Sequence, residues 1–187
     1  MRSPPSGRRR AIVSVSRRSV VAGSVGIAAL QAGAPLDAAA AVDAAEDERF
    51  MRLAIAEARV ADLPFGAVIV QGGRILARGR NLGRTEGDPT SHGEMVAIRD
   101  CVARHGREAL RGATLYTSGE PCAMCIGAIL WSRIGRVVFA ASVQQLATKL
   151  DQIMISSAEI AAKAPFAPLS ITGGVLADAA MQLFEKT

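Results

Sequence analysis

Four residues carry the chemistry this sequence advertises: His92 and Glu94, two positions apart, and Cys122 and Cys125, three apart behind Glu120-Pro121. Each pair falls where a helix is expected to begin. At a helix start, free N–H groups and the positive end of the dipole favour thiolate at Cys122 and Cys125, the form that binds zinc. Cysteines three apart share one helix face, so both sulfurs reach one ion at ~2.3 Å, and His92 supplies a third ligand. Three protein ligands leave the fourth tetrahedral position to water, as in a catalytic zinc site. Zinc lowers the pKa of such a water toward ~7. Glu94 stands too near His92 in sequence to ligate the same ion easily. Its useful role is to take a proton from the water and pass it on to the reacting group. The expected cofactor is therefore Zn2+, one per chain.

The elements that must position these residues alternate between helical and strand patterns, which predicts an α/β domain. Residues 46–61, with Phe50, Leu53, Ala54 and Val60 among charges, read as an amphipathic helix. Residues 64–70 and 74–79 read as strands joined by a tight Gly72-Gly73 turn. A polar loop from Asn81 to Thr90 leads into a helix from Ser91 to about Arg104. A strand at 113–117, a helix from Cys122 to Ser132 and a strand at 136–140 follow, giving the order α-β-β-α-β-α-β. Residues 141–163 look helical, residues 171–175 end in a glycine break, and 177–186 read as a closing helix.

The formal net charge of +5 is confined to one end of the chain. Residues 1–41 hold six arginines against Asp37 alone, leaving sixteen residues of each sign in the remainder. Arg17-Arg18, a weakly apolar Gly/Ala stretch and the run Ala38 to Ala41 resemble a twin-arginine export signal. The expected division is a leader over 1–41 and a zinc-dependent domain over 42–187. A periplasmic or secreted destination follows, or a cytoplasmic one should the leader not function. No stretch offers the ~20 strongly apolar residues of a stable membrane span.

H-x-E followed by P-C-x-x-C is a signature of zinc deaminases that act on nucleobases. The sequence resembles the cytidine and deoxycytidylate deaminase superfamily, in the branch of guanine deaminases and tRNA adenosine deaminases. Beyond the signature, Pro64 to Val68, Asn81, Asp88 to Glu94, Leu115 to Ser118 and Glu120 to Ala128 fall in family order over about residues 46–141. The resemblance implies a three-layer α-β-α fold with a central mixed sheet and the zinc site at the N-termini of two helices. It implies His92, Cys122 and Cys125 as metal ligands, Glu94 as the catalytic proton shuttle, and Asn81 and the Gly93 N–H as substrate contacts. Phe65 and Trp131 become candidate pocket walls. It further implies a homodimer, with the segment 163–187 near a neighbouring active site.

For substrate, overall layout favours guanine. Gly93 points second to cytosine, because the guanine and tRNA branches commonly carry alanine there. The segment after Ala141 lacks the acidic and aromatic residues by which guanine deaminases close over substrate, Asp151 being a loose counterpart.

Other readings remain open. A tRNA adenosine deaminase shares the site but calls for positive surface to hold phosphates, which the neutral domain lacks, so a small-molecule nucleobase or nucleoside partner is expected rather than nucleic acid. A periplasmic thiol–disulfide protein could use Cys122 and Cys125 but leaves His92 and Glu94 without a task. A non-catalytic zinc-stabilised domain would want a fourth ligand. Cys101, mid-helix and without such partners, reads as a packing residue.

Overall fold

The computed structural model describes residues 36–166 and 168–185. The leader lies outside the described residues as far as residue 35, and 36–41 form the start of the first helix. That helix, α1, runs Leu36–Ala58. Phe50, Met51, Ala54, Ile55 and Ala58 recur at helical spacing and are buried, while Glu48, Arg49 and Arg52 stay exposed.

Two strands follow, β1 (Gly66–Gln71) and β2 (Arg74–Arg80). Gly72 and Gly73 both have positive φ, 55° and 73°, as a two-residue turn of primed type requires. After the short helix α2 (Gly83–Glu86) come α3 (Gly93–His105), β3 (Thr114–Gly119), α4 (Ala123–Trp131) and β4 (Arg136–Ala141). Two short helices, α5 (Val143–Leu146) and α6 (Ser157–Ala161), precede β5 (Ser170–Thr172) and α7 (Ala177–Met181).

The strands form one mixed sheet in the order β2-β1-β3-β4-β5. β1 is antiparallel to both β2 and β3, whereas β3, β4 and β5 run parallel. A parallel pair needs a crossover, and α4 provides it between β3 and β4.

Alternation along the strands divides the core in two. Ala67, Ile69, Leu115 and Val137 face one layer with Ala97, Ile98 and Cys101 of α3 and Ile126, Ile129 and Leu130 of α4. Val68, Val70, Tyr116 and Val138 face the other, with Phe50, Met51 and Ala54 of α1 and Ala180 of α7. The result is the expected three-layer α-β-α architecture. Across the second layer, Asp47 of α1 accepts two hydrogen bonds from Arg136 at 2.7 and 2.6 Å and one from the Tyr116 hydroxyl at 3.0 Å.

The structure departs from the sequence reading after Ala141. In place of a continuous helix over 141–163 there are α5 and α6, and residues 151–156 form no regular element. Ser142 and Ser156 each build a capping box, with Gln145 and Glu159, so the segment starts a helix twice. The β-branched Thr148, Ile153 and Ile155 lie between them and favour extended backbone. β5 escaped the sequence reading because it is a three-residue edge strand of partly exposed side chains. Residues 182–185 continue α7 as a 3-10 turn. No helix among the described residues is long and apolar enough to cross a membrane.

Candidate active site

His92 and Cys122 are the N-caps of α3 and α4, both with extended backbone, and Cys125 lies in the first turn of α4. Local chemistry shapes the approach to His92. The Asp88 carboxylate accepts from the Thr90 N–H at 2.8 Å and the Thr90 hydroxyl at 2.7 Å, turning the chain before Ser91. Ser91, fully buried, donates its hydroxyl to Glu86.

The two helix starts meet at one point. His92 Nδ1 lies 3.7 Å from Cys122 Sγ and 3.6 Å from Cys125 Sγ, and the three ligand atoms lie within 4.8 Å of one another. An ion with tetrahedral ligands at ~2.0–2.3 Å has ligand–ligand edges of roughly 3.5 Å. The donor set and its spacing therefore fit a zinc ion.

The protein atoms alone already favour a thiolate here. The Cys122 thiol is pushed down to about 4, chiefly by the hydrogen bond from Cys125 and then by that from His92. The same hydrogen bond, with burial, pushes the Cys125 thiol up. His92 is raised in turn by its hydrogen bond to Cys122.

Glu94 is 5% exposed, and burial raises its carboxyl above the usual carboxylate range. Thr117 of β3 donates its hydroxyl to Glu94 Oε1 at 3.3 Å, and the Cys125 thiol lies 3.6 Å from Oε2. A carboxylate so held beside a metal site can accept and return a proton.

These residues open onto a cleft of about 260 Å³. Asn81, His92, Glu94 and Cys122 line it together with Phe65. The Asn81 Oδ1 accepts the Gly83 N–H at 3.1 Å, which fixes the amide orientation and leaves Nδ2 as the group that can donate into the cleft. Phe65 is braced edge-on by Phe184 with ring centroids 5.6 Å apart, so the C-terminal segment supports the wall of its own chain's cleft. Gly93 is buried, and a Cβ there would make a tight contact 3.1 Å from the Phe65 carbonyl oxygen.

Trp131 is not brought to the cleft. It closes the far end of α4, is 73% exposed, and packs edge-on against Phe166 at 5.0 Å. Nine residues of α4, roughly 13 Å of helix, place it opposite the end that carries the cysteines. Cys101 is fully buried in the α3 layer of the core, as expected.

Other functional positions went unassigned from sequence. Thr117 had no visible partner because it reaches from β3 to Glu94 at the start of α3, twenty-three residues earlier in the chain. Leu63, Glu120 and the stretch Leu150 to Ile153 also line the cleft. Asp151, read as a loose counterpart of a closing acid, stands in that lining. Only the fold brings that stretch back over the metal ligands.

The family described as the cytidine and deoxycytidylate deaminase zinc-binding region matches residues 44–141. A tRNA-specific adenosine deaminase of Bacillus subtilis (strain 168) is 45% identical over 100 residues, covering 51% of this chain and 62% of that protein. A guanine deaminase of the same organism is 51% identical over 78 residues, covering 42% of this chain and 50% of that protein. The chain thus spans less than two thirds of the length of either relative. A solved structure from work on A-to-I editing by tRNA:A34 deaminases superposes with a TM-score of 0.63 at 32% identity, covering 72% of this chain and 98% of that one. With the zinc-type donor set and the three-layer fold already in view, this chain belongs to the cytidine and deoxycytidylate deaminase zinc-binding family.

Proposed function

We propose that this chain hydrolyses the exocyclic amino group of a nucleobase or nucleoside and releases it as ammonia. The observation that carries the reading is the buried Glu94 carboxylate, held by Thr117 beside the His92, Cys122 and Cys125 donors in the lining of a cleft.

His92, Cys122 and Cys125 would hold the ion. When bound, zinc supplies Lewis acidity that makes a water a competent nucleophile near neutral pH. Glu94 accepts the proton of the attacking water and delivers it to the ring nitrogen beside the reacting carbon. Glu94 then takes the remaining proton of the added hydroxyl and passes it to the amine as the carbon–nitrogen bond breaks, so the water oxygen stays on the ring as a carbonyl and ammonia leaves. The elevated proton affinity of a buried carboxyl suits both directions of transfer. The Asn81 amide donates to an acceptor on the ring edge, and Phe65 covers its face.

Guanine is the first substrate to test. Asp151, a carboxylate in the cleft lining, suits a free base that offers ring N–H donors besides the reacting amine. Cytosine is second. A second reading, adenosine in a tRNA anticodon, is favoured by the 45% identity to a tRNA-specific adenosine deaminase, and it is weakened by a domain whose formal charge is balanced. Ammonia release from guanine, cytosine, adenine, their nucleosides and a tRNA anticodon stem separates the readings. Release from none of them by a zinc-loaded protein would end the proposal.

We further propose export by the twin-arginine route, on Arg17-Arg18 and the Gly/Ala stretch behind them. Replacing both arginines by lysine should leave the protein in the cytoplasm, and an unchanged distribution would refute export. A homodimer is proposed from the exposed Ile153 and Met154 at the cleft side. Light scattering that gives the mass of a single chain would refute it.

A further inference from the structure

Glu120 precedes the ligand sequence Pro121-Cys122, and both oxygens of its side chain bond backbone that lies more than twenty residues on. Its Oε2 accepts the Val143 N–H at 2.9 Å, and its Oε1 accepts the Ser157 N–H at 2.8 Å. Val143 and Ser157 are the first residues of α5 and α6. Helices of four and five residues are marginal by themselves, and their leading N–H groups need partners. One buried carboxylate serves both.

The connection is reinforced on either side of the carboxylate. The Glu120 N–H donates to the Ala141 carbonyl at 2.7 Å, and the Ser157 hydroxyl donates to the Pro121 carbonyl at 2.9 Å. Between the two clamped ends lie Leu150, Asp151, Gln152 and Ile153, one wall of the cleft. Among the described residues, the hydrogen bonds of 147–155 all stay within the segment 143–157. That wall hangs from its ends.

We propose that Glu120 is a positioning residue whose single carboxylate fixes both ends of the cleft wall 144–156 to the metal-ligand sequence, and so sets how firmly the substrate ring is held. The proposal rests on the deaminase reading of the cleft for its effect on substrate, though the clamp itself does not. A shift of the wall by one ångström changes ring contacts while leaving His92, Cys122 and Cys125 in place.

The segment carries its own probe. Lys149 is exposed and is the sole Lys or Arg between Arg136 and Lys163, so a tryptic cut after it reports the wall alone. The experiment uses the full zinc-loaded chain as wild type, Glu120→Gln and Glu120→Asp. Gln keeps one acceptor but turns an NH2 toward the other N–H, and Asp is a methylene too short to reach both. Expected are a cut after Lys149 at least tenfold faster in Glu120→Gln, zinc content unchanged, and a KM for guanine raised about tenfold with kcat within threefold. Glu120→Asp should show the same pattern with smaller amplitude.

An unchanged Lys149 cut, or a faster cut with unchanged KM, overturns the proposal. Should Glu120→Gln be cut at every site and lose zinc, Glu120→Asp decides, and uniform cutting there as well overturns it. If wild type leaves guanine untouched, the substrate reading fails separately, and selective cutting at Lys149 alone judges the clamp.

Discussion

Gly79 of β2 and Gly93 of α3 are in backbone contact: a Cβ built on Gly79 would overlap the Gly93 carbonyl oxygen and the Ala97 nitrogen. The helix that carries His92 and Glu94 is seated on the sheet at this point, with no space for a methyl group. Gly79→Ala should therefore lift α3, destabilise the protein by about 3 kcal/mol and weaken zinc binding with it. Urea unfolding and metal titration check both effects. Gly127 is the contrast, since it sits inside α4 with nothing within 4 Å of its would-be Cβ. Gly127→Ala should raise stability by about 0.5–1 kcal/mol.

The Asp47 carboxylate, buried and bonded to both Arg136 and Tyr116, ties α1 to the sheet. Asp47→Asn leaves the guanidinium without its charge partner. Because Arg136 is about one third exposed, the expected cost is about 2 kcal/mol, below that of a fully buried pair. Deamination per folded molecule should not change. A chain starting at residue 42 retains Asp47 and should unfold at the same denaturant concentration as the full chain.

Removal of the metal should expose an uneven pair of thiols. The folded pKa of Cys122, about 4, lies far below the ordinary thiol value of ~8.5. Its contribution to stability is thus complete above the ordinary value and is lost as pH falls through about 4. At pH 6 the chelator-treated protein should be alkylated by iodoacetamide at Cys122 well before the fully buried Cys101 and Cys125, as read by peptide mass spectrometry. Equal labelling of all three would show that the depression is absent.

How far the sequence speaks follows the range of each interaction. Helical spacing in α3 and α4 and alternation in β1 to β4 are local, and the structure reproduces those elements within a few residues, whereas α1 begins at Leu36, ten residues before the start read from the spacing. The His92, Cys122 and Cys125 cluster was legible because a metal dictates residue types and offsets. Thr117 to Glu94, and Glu120 to Val143 and Ser157, join positions set by the sheet order, which no short window reveals. Trp131 misled for the same reason: an aromatic near the ligands in sequence lies a whole helix away from them in space.

The central claim is that Glu94 moves the proton in a zinc-dependent deamination. The direct measurement is kcat for ammonia release by Glu94→Gln beside wild type, with zinc per chain determined on the same samples. Both proteins should carry one zinc, and kcat should be lower by about 10²–10⁴ in the variant. A variant that keeps its zinc and deaminates at more than a tenth of the wild-type rate would contradict it.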